Sequence, residues 1–461
     1  MTAVSPRVVV AGTHSGVGKT SLSLALVAAL RRRGLQVQTF KVGPDFLDPS
    51  YLTLASGRPC YNLDGWMAGR DYVTELFARV SGGADISIIE GVMGLFDGAD
   101  PATSQGSTAE IARWLEAPVL LIASAHGLAR SLAAMVKGYA GFEPDLNIAG
   151  VIANQCGSEQ HGQWLSRSLA ASSQPPLMGA IPRNAFPKLP NRHLGLVTAN
   201  GENLSPAVLD ALADALELNA SVEEILRLAR SAPPMVVSWP ERKALPSKVR
   251  IGVARDAAFH FYYQDLFDEL KMRGGELIPF SPVKDERLPE RCGALYIGGG
   301  YPEEYADALS ANERLLGEFR QFAASGRPIY AECGGLMYLS QGLETMDSKW
   351  HPLVGLLPVA TRMLDRKKAL GYVEITLLED SLWGAKNALL RGHEFHYSEM
   401  VADPAGKDSW RPLYSLKRRR AERAMGEGFQ RGQVLATYVH LHLASHPEAL
   451  ETFLYHCGAR S

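Results

Sequence analysis

Cysteine is scarce in this chain, and several features that mark particular protein classes are missing. The 461 residues include five cysteines without a CxxC pair, so neither a zinc cage nor a disulfide framework is expected and a reducing cytoplasm is favoured. No apolar run approaches the roughly 20 residues that span a bilayer. Basic and acidic residues nearly balance, 47 against 49, which argues against nucleic acid or a membrane as partner. A glycine-rich loop follows the first methionine so closely that no signal peptide is expected.

The pattern along the chain predicts two α/β domains. Short runs rich in Val, Ile and Leu alternate with helical patterns, which is typical of parallel sheets covered by helices on both faces. Composition changes over residues 231–248, where prolines cluster and periodicity is lost. We therefore expect a first domain over residues 1–230, a linker over 231–248 and a second domain over 249–461.

A phosphate-binding loop is predicted at Gly12–Thr20, with the sequence GTHSGVGKT. An apolar strand precedes it and a helix follows it, so backbone N–H groups can approach phosphate oxygens while Lys19 supplies a cation and Thr20 a ligand for Mg²⁺. Five residues separate Gly12 from Gly18, one more than in the standard motif, and Thr13 therefore stands at the usual first-glycine position. The candidate ATP-binding residues are Thr13, Gly16, Val17, Gly18, Lys19 and Thr20.

Carboxylates near the ends of predicted strands are candidates for the chemistry beside this loop. Asp45 and Asp48 follow the second strand of the first domain, and Glu90 ends the apolar run ISIIE. Because ligands bind at the carboxyl ends of parallel strands, Asp45 and Glu90 are predicted to hold Mg²⁺ together with Thr20. Asp48 and Asp97 are candidates for contact with the substrate or a reaction intermediate. The alternative is that both are solvent-facing turn residues.

A second motif, AECGGLMYL at Ala331–Leu339, indicates a cysteine nucleophile. Cys333 lies between a predicted strand and a predicted helix, a position expected to expose the thiol and to favour the thiolate. A nucleophile of this kind needs a base, and His440 at the end of an apolar strand is the candidate. The run ALYIGGGYPEE at Ala294–Glu304 offers backbone N–H groups for an oxyanion hole.

These motifs resemble two known families. GGGYPE, AECGGLMYL and TYVHLH are similar to class I glutamine amidotransferases, and GTHSGVGKT, KVGPDFLDP and EGVMGLFDG are similar to dethiobiotin-synthetase-like ATPases. In this order, and with GHEFHYSE, the chain from Arg7 to His446 resembles the cobyrinic acid a,c-diamide synthases. The resemblance implies a P-loop NTPase-like first domain that binds ATP and a corrinoid, and a flavodoxin-like amidotransferase domain second.

The activity implied by the resemblance is amidation of the a and c carboxylates of cobyrinate in cobalamin biosynthesis, with ATP, Mg²⁺ and L-glutamine. Cys333 would attack the glutamine carboxamide, and His440 would activate the thiol. The tetrahedral oxyanion would be stabilised by Gly299, Gly300 and Gly334. One departure concerns the triad, since His442 stands where the amidotransferases usually have a glutamate, which leaves open what orients His440.

The sequence leaves alternatives for the substrate and for the class of protein. Hydrogenobyrinate or nickel sirohydrochlorin would use the same ATP and glutamine motifs, because discrimination lies in the macrocycle pocket. A partitioning-type ATPase switch is a further alternative, but it leaves Cys333 and His440 without a role. A homodimer is expected from the family and from how common symmetric dimers are.

Overall fold

The structure, a computed structural model, describes residues 2–3, 6–189, 191–192, 195–196, 203–237, 248–419, 421 and 423–458. These residues form two compact units, Met1–Pro240 and Glu241–Ser461. Within the predicted linker, Val236–Val237 forms a short strand, and residues 238–247 lie outside the described part. The domain limits given above stay predictions. Among the described residues, no helix is both long and apolar enough to cross a membrane.

The first unit alternates strands and helices as the apolar runs predict. Its strands are β1 (Thr2–Ala3), β2 (Arg7–Gly12), β3 (Val37–Val42), β4 (Tyr61–Leu63), β5 (Ile86–Glu90), β6 (Val119–Ser124), β7 (Ile148–Cys156), β8 (Leu177–Pro182), β9 (Asn191–Arg192), β10 (Gly195–Leu196) and β11 (Val236–Val237). Its helices are α1 (Lys19–Arg32), α2 (Asp48–Ser56), α3 (Gly65–Ser81), α4 (Thr108–Trp114), α5 (Ser131–Phe142), α6 (Glu159–Ala171), α7 (Pro206–Asn219) and α8 (Val222–Arg230).

Seven strands of this unit form one parallel sheet in the order β4-β3-β5-β2-β6-β7-β8. Its strands are apolar on both faces because helices cover both sides. Val8 and Val10 join the core under α1, α2, α7 and α8, whereas Val9 and Ala11 join the core under α3 and α4. This alternation follows from the two-residue period of a strand. All seven carboxyl ends therefore lie at one edge of the sheet, where ligands bind in such folds.

The second unit is richer in strands. They are β12 (Val249–Ala254), β13 (Phe259–Phe261), β14 (Gly275–Phe280), β15 (Ala294–Ile297), β16 (Gly299–Gly300), β17 (Ile329–Glu332), β18 (Gly342–Glu344), β19 (Trp350–Pro352), β20 (Thr361–Met363), β21 (Ala369–Leu377), β22 (Leu389–His396), β23 (Ser398–Met400), β24 (Arg411–Arg418), β25 (Met425–Arg431), β26 (Val434–Thr437) and β27 (His440–Leu441). The helices are α9 (Gln264–Met272), α10 (Ala306–Ala311), α11 (Glu313–Ala324), α12 (Gly334–Leu339) and α13 (Pro447–Gly458), with 3₁₀ turns at Pro302–Tyr305 and Leu443–Ser445.

A ten-stranded sheet organises this unit, in the order β14-β12-β15-β17-β26-β25-β24-β21-β22-β27. The first five strands are parallel, and the remaining five continue the sheet by antiparallel pairing. The two-domain α/β class predicted from the sequence is confirmed. The antiparallel extension was not predicted, because its strands carry mixed polar and apolar residues instead of continuous apolar runs.

The sheet curls back on itself near its end. β26 and β27 stand five places apart in the strand order, about 24 Å in a flat sheet, yet only Tyr438 and Val439 connect them. Three residue steps reach at most about 11 Å, so the two parts of the sheet must approach each other. The curl brings β27, and with it His440, back beside the parallel strands.

Candidate active sites

The loop between β2 and α1 has the geometry of a phosphate cradle. Gly16 and Gly18 have φ angles of +78° and +106°, a region that favours glycine. Gly18 also lies against Asn154, because an added Cβ would come within 2.5 Å of its side-chain nitrogen. Ser15, Gly16, Gly18, Lys19 and Thr20 line a cleft of about 860 Å³ at the carboxyl edge of the sheet. The predicted loop residues Thr13 and Val17 are not part of this lining.

Thr13 and Val17 instead accept hydrogen bonds that hold the loop in place. Val17 is buried, and its carbonyl accepts a hydrogen bond of 2.8 Å from the Asn154 side chain. The Thr13 carbonyl accepts one of 2.6 Å from the Tyr139 hydroxyl. Asn154 lies two residues before the end of β7 and was not singled out from the sequence, although its place near the carboxyl end of a parallel strand was the available signal.

Lys19 and Thr20 begin α1 and point toward the carboxyl edge of the sheet. The Lys19 ammonium donates to the carbonyls of His14 and Met93. Burial, aided by the positive charge of Lys41, lowers the pKa of Lys19 to about 8. The Thr20 hydroxyl donates a 2.7 Å hydrogen bond to Oε1 of Glu90. A bound triphosphate would add negative charge beside the Lys19 ammonium and so favour its charged form.

Lys41 is a buried cation that the sequence reasoning missed. It sits in the fully buried strand β3, where a lysine is unusual, and its ammonium lies 2.7 Å from Asp48 Oδ2 and 2.9 Å from Glu90 Oε1. Burial alone would lower the pKa of Lys41, but these two carboxylates raise it. Burial alone would raise the pKa of Asp48. The contact with Lys41 has the larger effect, so the pKa of Asp48 is lowered.

The other predicted carboxylates differ in their surroundings. Asp45 accepts hydrogen bonds from the backbone N–H groups of Leu47 and Asp48, while burial and the charge of Asp48 raise its pKa to about 7. Burial also raises the pKa of Glu90. Asp97 is exposed and accepts a hydrogen bond from the Gly94 backbone, outside the lining of the cleft. The structure thus gathers Asp45, Asp48 and Glu90 around Lys41 and leaves Asp97 apart.

Cys333 occupies a sharp elbow between β17 and α12. Its φ of +49° and ψ of −102° are strained for a residue with a side chain, and its N–H donates to the Thr437 carbonyl at 2.7 Å. The expectation of an exposed thiol is wrong, because the residue is only 6% exposed. Burial, followed by the negative charge of Glu303, raises the pKa of the Cys333 thiol to about 12. The resting group is therefore a thiol, which makes a base necessary.

His440 and three glycines surround the elbow. His440 lies on β27 opposite His393 of β22, and the two rings stack at 5.0 Å between centroids. An added Cβ on Gly299 would come within 2.5 Å of the His440 ring, and one on Gly334 within 3.2 Å of the Gly300 nitrogen. The residues predicted for base and oxyanion hole are therefore neighbours in the fold. Their roles stay predictions.

His442 does not face His440 as a third triad member would. Its Nε2 lies 3.3 Å from Oδ2 of Asp265, and both side chains are buried. A carboxylate does approach the base, however, because Glu332 Oε2 lies 3.7 Å from His440 Nδ1. The sequence reasoning missed Glu332, although it directly precedes Cys333.

Comparisons with known proteins identify the family of each unit. Residues 8–197 match the family model of the CobQ/CobB/MinD/ParA nucleotide binding domain, and residues 250–448 match that of the CobB/CobQ-like glutamine amidotransferase domain. Among curated proteins, the chain is 56% identical to the cobyrinate a,c-diamide synthase of Syntrophotalea carbinolica, over 99% of both chains. It is 43% identical to that of Leptospira interrogans over 98% of both chains, and 40% identical to that of Priestia megaterium over 98% of this chain and 97% of the relative.

A nucleotide-binding unit followed by a glutamine amidotransferase unit defines a carbon–nitrogen ligase that takes its nitrogen from glutamine. Identity of this degree over nearly the whole length narrows the class to one family. The chain belongs to the cobyrinate a,c-diamide synthases.

The two loop glycines yield a matched pair of variants. Gly18→Ala combines a positive φ with a clash against Asn154, whereas Gly16→Ala has a positive φ and open space around the added Cβ. Strain alone costs about 1–2 kcal/mol per residue. We expect Gly18→Ala to weaken ATP binding by at least about tenfold more than Gly16→Ala, measured by titration calorimetry. Equal effects of the two substitutions would contradict the phosphate-cradle geometry.

Proposed function

We propose that the chain converts the a and c carboxylates of cobyrinate to amides, using ATP and ammonia released from glutamine. The observation that carries the proposal is the presence of both half-sites in one chain whose full-length relatives are named cobyrinate a,c-diamide synthase. A nucleotide cleft alone would fit many ATPases. Cys333, with His440 and a glycine-rich loop in the same unit, would give the chain a means to release ammonia, and this has no use in an ATPase switch.

In the first unit, Lys19 and the loop N–H groups would hold the triphosphate with its γ-phosphate toward the carboxyl edge of the sheet. A carboxylate oxygen of the corrinoid attacks the γ-phosphorus, and ADP leaves with the electron pair of the broken P–O bond. Ammonia then attacks the acyl phosphate carbon, phosphate leaves, and one proton is lost to give the amide. Lys41, which lines the cleft and is held by Asp48 and Glu90, would place a positive charge near the reacting groups.

The residues of the nucleotide cleft can hold a Mg²⁺ ion only together with phosphate oxygens of the bound triphosphate. No group of three or more His, Cys, Asp or Glu side chains in the described part of the chain would hold a metal alone. Glu90 Oε2 is buried and makes no hydrogen bond to the described residues, and Oε1 of the same carboxylate contacts Thr20. We propose that Glu90, Thr20 and Asp45 hold Mg²⁺ beside the triphosphate, where the ion would neutralise phosphate charge.

In the second unit, His440 would accept the Cys333 proton as the sulfur attacks the glutamine carboxamide carbon. The N–H groups of Gly299, Gly300 and Gly334 are proposed to stabilise the oxyanion. His440 then returns the proton to the leaving nitrogen, so ammonia departs and a thioester remains. Water hydrolyses the thioester to glutamate and restores the thiol.

The substrate is tested by incubating the protein with ATP, Mg²⁺ and glutamine in the presence of cobyrinate, hydrogenobyrinate or nickel sirohydrochlorin. We expect two carboxyl-to-amide conversions on cobyrinate, read as product mass, each linked to one ATP and one glutamine consumed. Conversion of only hydrogenobyrinate or nickel sirohydrochlorin would transfer the proposal to that macrocycle. ATP hydrolysis without any amide product would contradict it. We further propose a cytoplasmic homodimer, in line with the prevalence of symmetric dimers.

A further inference from the structure

Glu332 is a buried carboxylate aimed at the base of the thiol site. It is the last residue of β17, directly before Cys333, and only 3% of it is exposed. Its Oε2 lies 3.7 Å from Nδ1 of His440. This separation exceeds a hydrogen bond, but catalytic contacts are often long before substrate binds. A buried carboxylate next to an imidazole nitrogen is the arrangement that orients the base in triad enzymes.

The carboxylate is fixed in place by three donors. Tyr296 donates to Oε2 at 2.9 Å, Tyr330 donates to Oε1 at 2.5 Å, and the Leu441 backbone N–H donates to Oε1 at 3.3 Å. These donors come from β15, β17 and β27. Burial, followed by the charge of Glu332, raises the pKa of both tyrosines well above the usual value, so they remain protonated donors. Glu332 is thus tied to the strand that carries His440.

The neighbouring histidines are engaged elsewhere. His442 Nε2 faces Asp265, and His393 Nδ1 is 3.0 Å from the Tyr263 hydroxyl. His393 also stacks on the face of the His440 ring, which restricts how that ring can tilt. With Nδ1 toward Glu332, the opposite nitrogen Nε2 lies beside Gly299.

We propose that Glu332 is the positioning residue that replaces the missing triad glutamate and orients His440. The carboxylate accepts a hydrogen bond from Nδ1–H of His440 and thereby fixes the tautomer in which Nε2 carries the lone pair. Nε2 then takes the proton from Cys333 Sγ as the sulfur attacks glutamine. The same proton then passes from Nε2 to the departing nitrogen. Two consecutive residues, Glu332 and Cys333, thereby serve opposite nitrogens of one imidazole. This role rests on the glutamine hydrolysis proposed above.

The direct test compares wild type with Glu332→Gln, which keeps the shape of the side chain and removes its charge. We expect kcat for glutamate release to fall about 10²–10⁴-fold, as when the orienting carboxylate of a triad is neutralised, with KM for glutamine within about threefold. Ammonia-dependent amidation, which depends on the first unit, should equal that of wild type, and a cooperative thermal unfolding transition of the second unit would show that this unit is folded. Glu332→Asp, which restores the charge on a shorter side chain, should recover part of kcat.

A double-mutant comparison separates positioning from a purely structural role. If Glu332 acts through His440, then Glu332→Gln should have no further effect on the residual glutamate release of His440→Ala. The control is Glu269→Gln, which neutralises an equally buried carboxylate of the same unit that pairs with Arg273. It should leave glutamate release within about twofold of wild type.

Three results would overturn the positioning role. They are an unchanged kcat in Glu332→Gln, a further loss when it is combined with His440→Ala, and a greater loss from Asp265→Asn than from Glu332→Gln. If Glu332→Gln does not fold, Glu332→Asp is tested against the same criteria. A wild type that releases no glutamate would overturn both this role and the proposed function, whereas an active wild type with an equally active Glu332→Gln overturns only the role.

Discussion

Cys333→Ala is expected to lose glutamine-dependent amidation by about 10⁴-fold or more, while amidation with ammonium salts continues. The sulfur is the atom that bonds to the carboxamide, and no neighbouring group replaces it. The synthetase chemistry needs only ammonia and belongs to the residues around Lys19, so its rate at saturating ammonia should match that of wild type. Amide product is measured by mass with each nitrogen source.

A second buried cysteine of the same unit serves as the control. Cys292 is 2% exposed and packs in the core, so Cys292→Ala removes a sulfur without touching the elbow. It should cost some stability and leave both activities in place. Loss of the ammonia-dependent reaction in Cys333→Ala would contradict the separation into two sites, and retention of the glutamine-dependent reaction would contradict Cys333 as nucleophile.

Lys19→Ala is expected to remove amidation with either nitrogen source, lowering kcat/KM for ATP by about 10²–10³-fold. The loss is the same with glutamine and with ammonia because both routes need the activated carboxylate. Lys137→Ala, on the exposed side of α5, removes a lysine of the same unit and should be silent. Amidation by Lys19→Ala with ammonia alone would refute the role of the loop.

The pH dependence gives an independent check on the same residue. The pKa of Lys19 in the free protein is about 8, so its charge is present below that pH and is lost above it. Since kcat/KM reports the free enzyme, it should fall as pH rises through about 8 for wild type. Lys19→Arg retains a cation at every accessible pH, and its profile should lack that fall.

Local patterns of the sequence predicted the elements that carry most of the site. The run RVVVAG before GKT predicts a strand, a loop and a helix because each depends on neighbouring residues only. The same holds for PIYAECGG, which predicts the elbow at Cys333. These segments needed no knowledge of distant partners, and the structure places their residues as the local rules require.

Contacts between distant residues account for what the sequence reasoning missed. Lys41 meets Glu90 across 49 positions, and Glu332 meets the Leu441 backbone across 109. No periodicity links such pairs. The expectation of an exposed Cys333 failed for the same reason, because the neighbours that bury the thiol, such as the Thr437 segment and the carbonyl of Phe395, come from far along the chain.

The curl of the second sheet has a consequence for how the base of the thiol site is anchored. Thr437 of β26 pairs with Glu332 directly before Cys333, and only Tyr438 and Val439 separate β26 from β27. At the same time β27 pairs with β22 of the antiparallel half, where His440 stands opposite His393. His440 is therefore anchored from two sides, by the short connection to the parallel half and by backbone pairing with the antiparallel half.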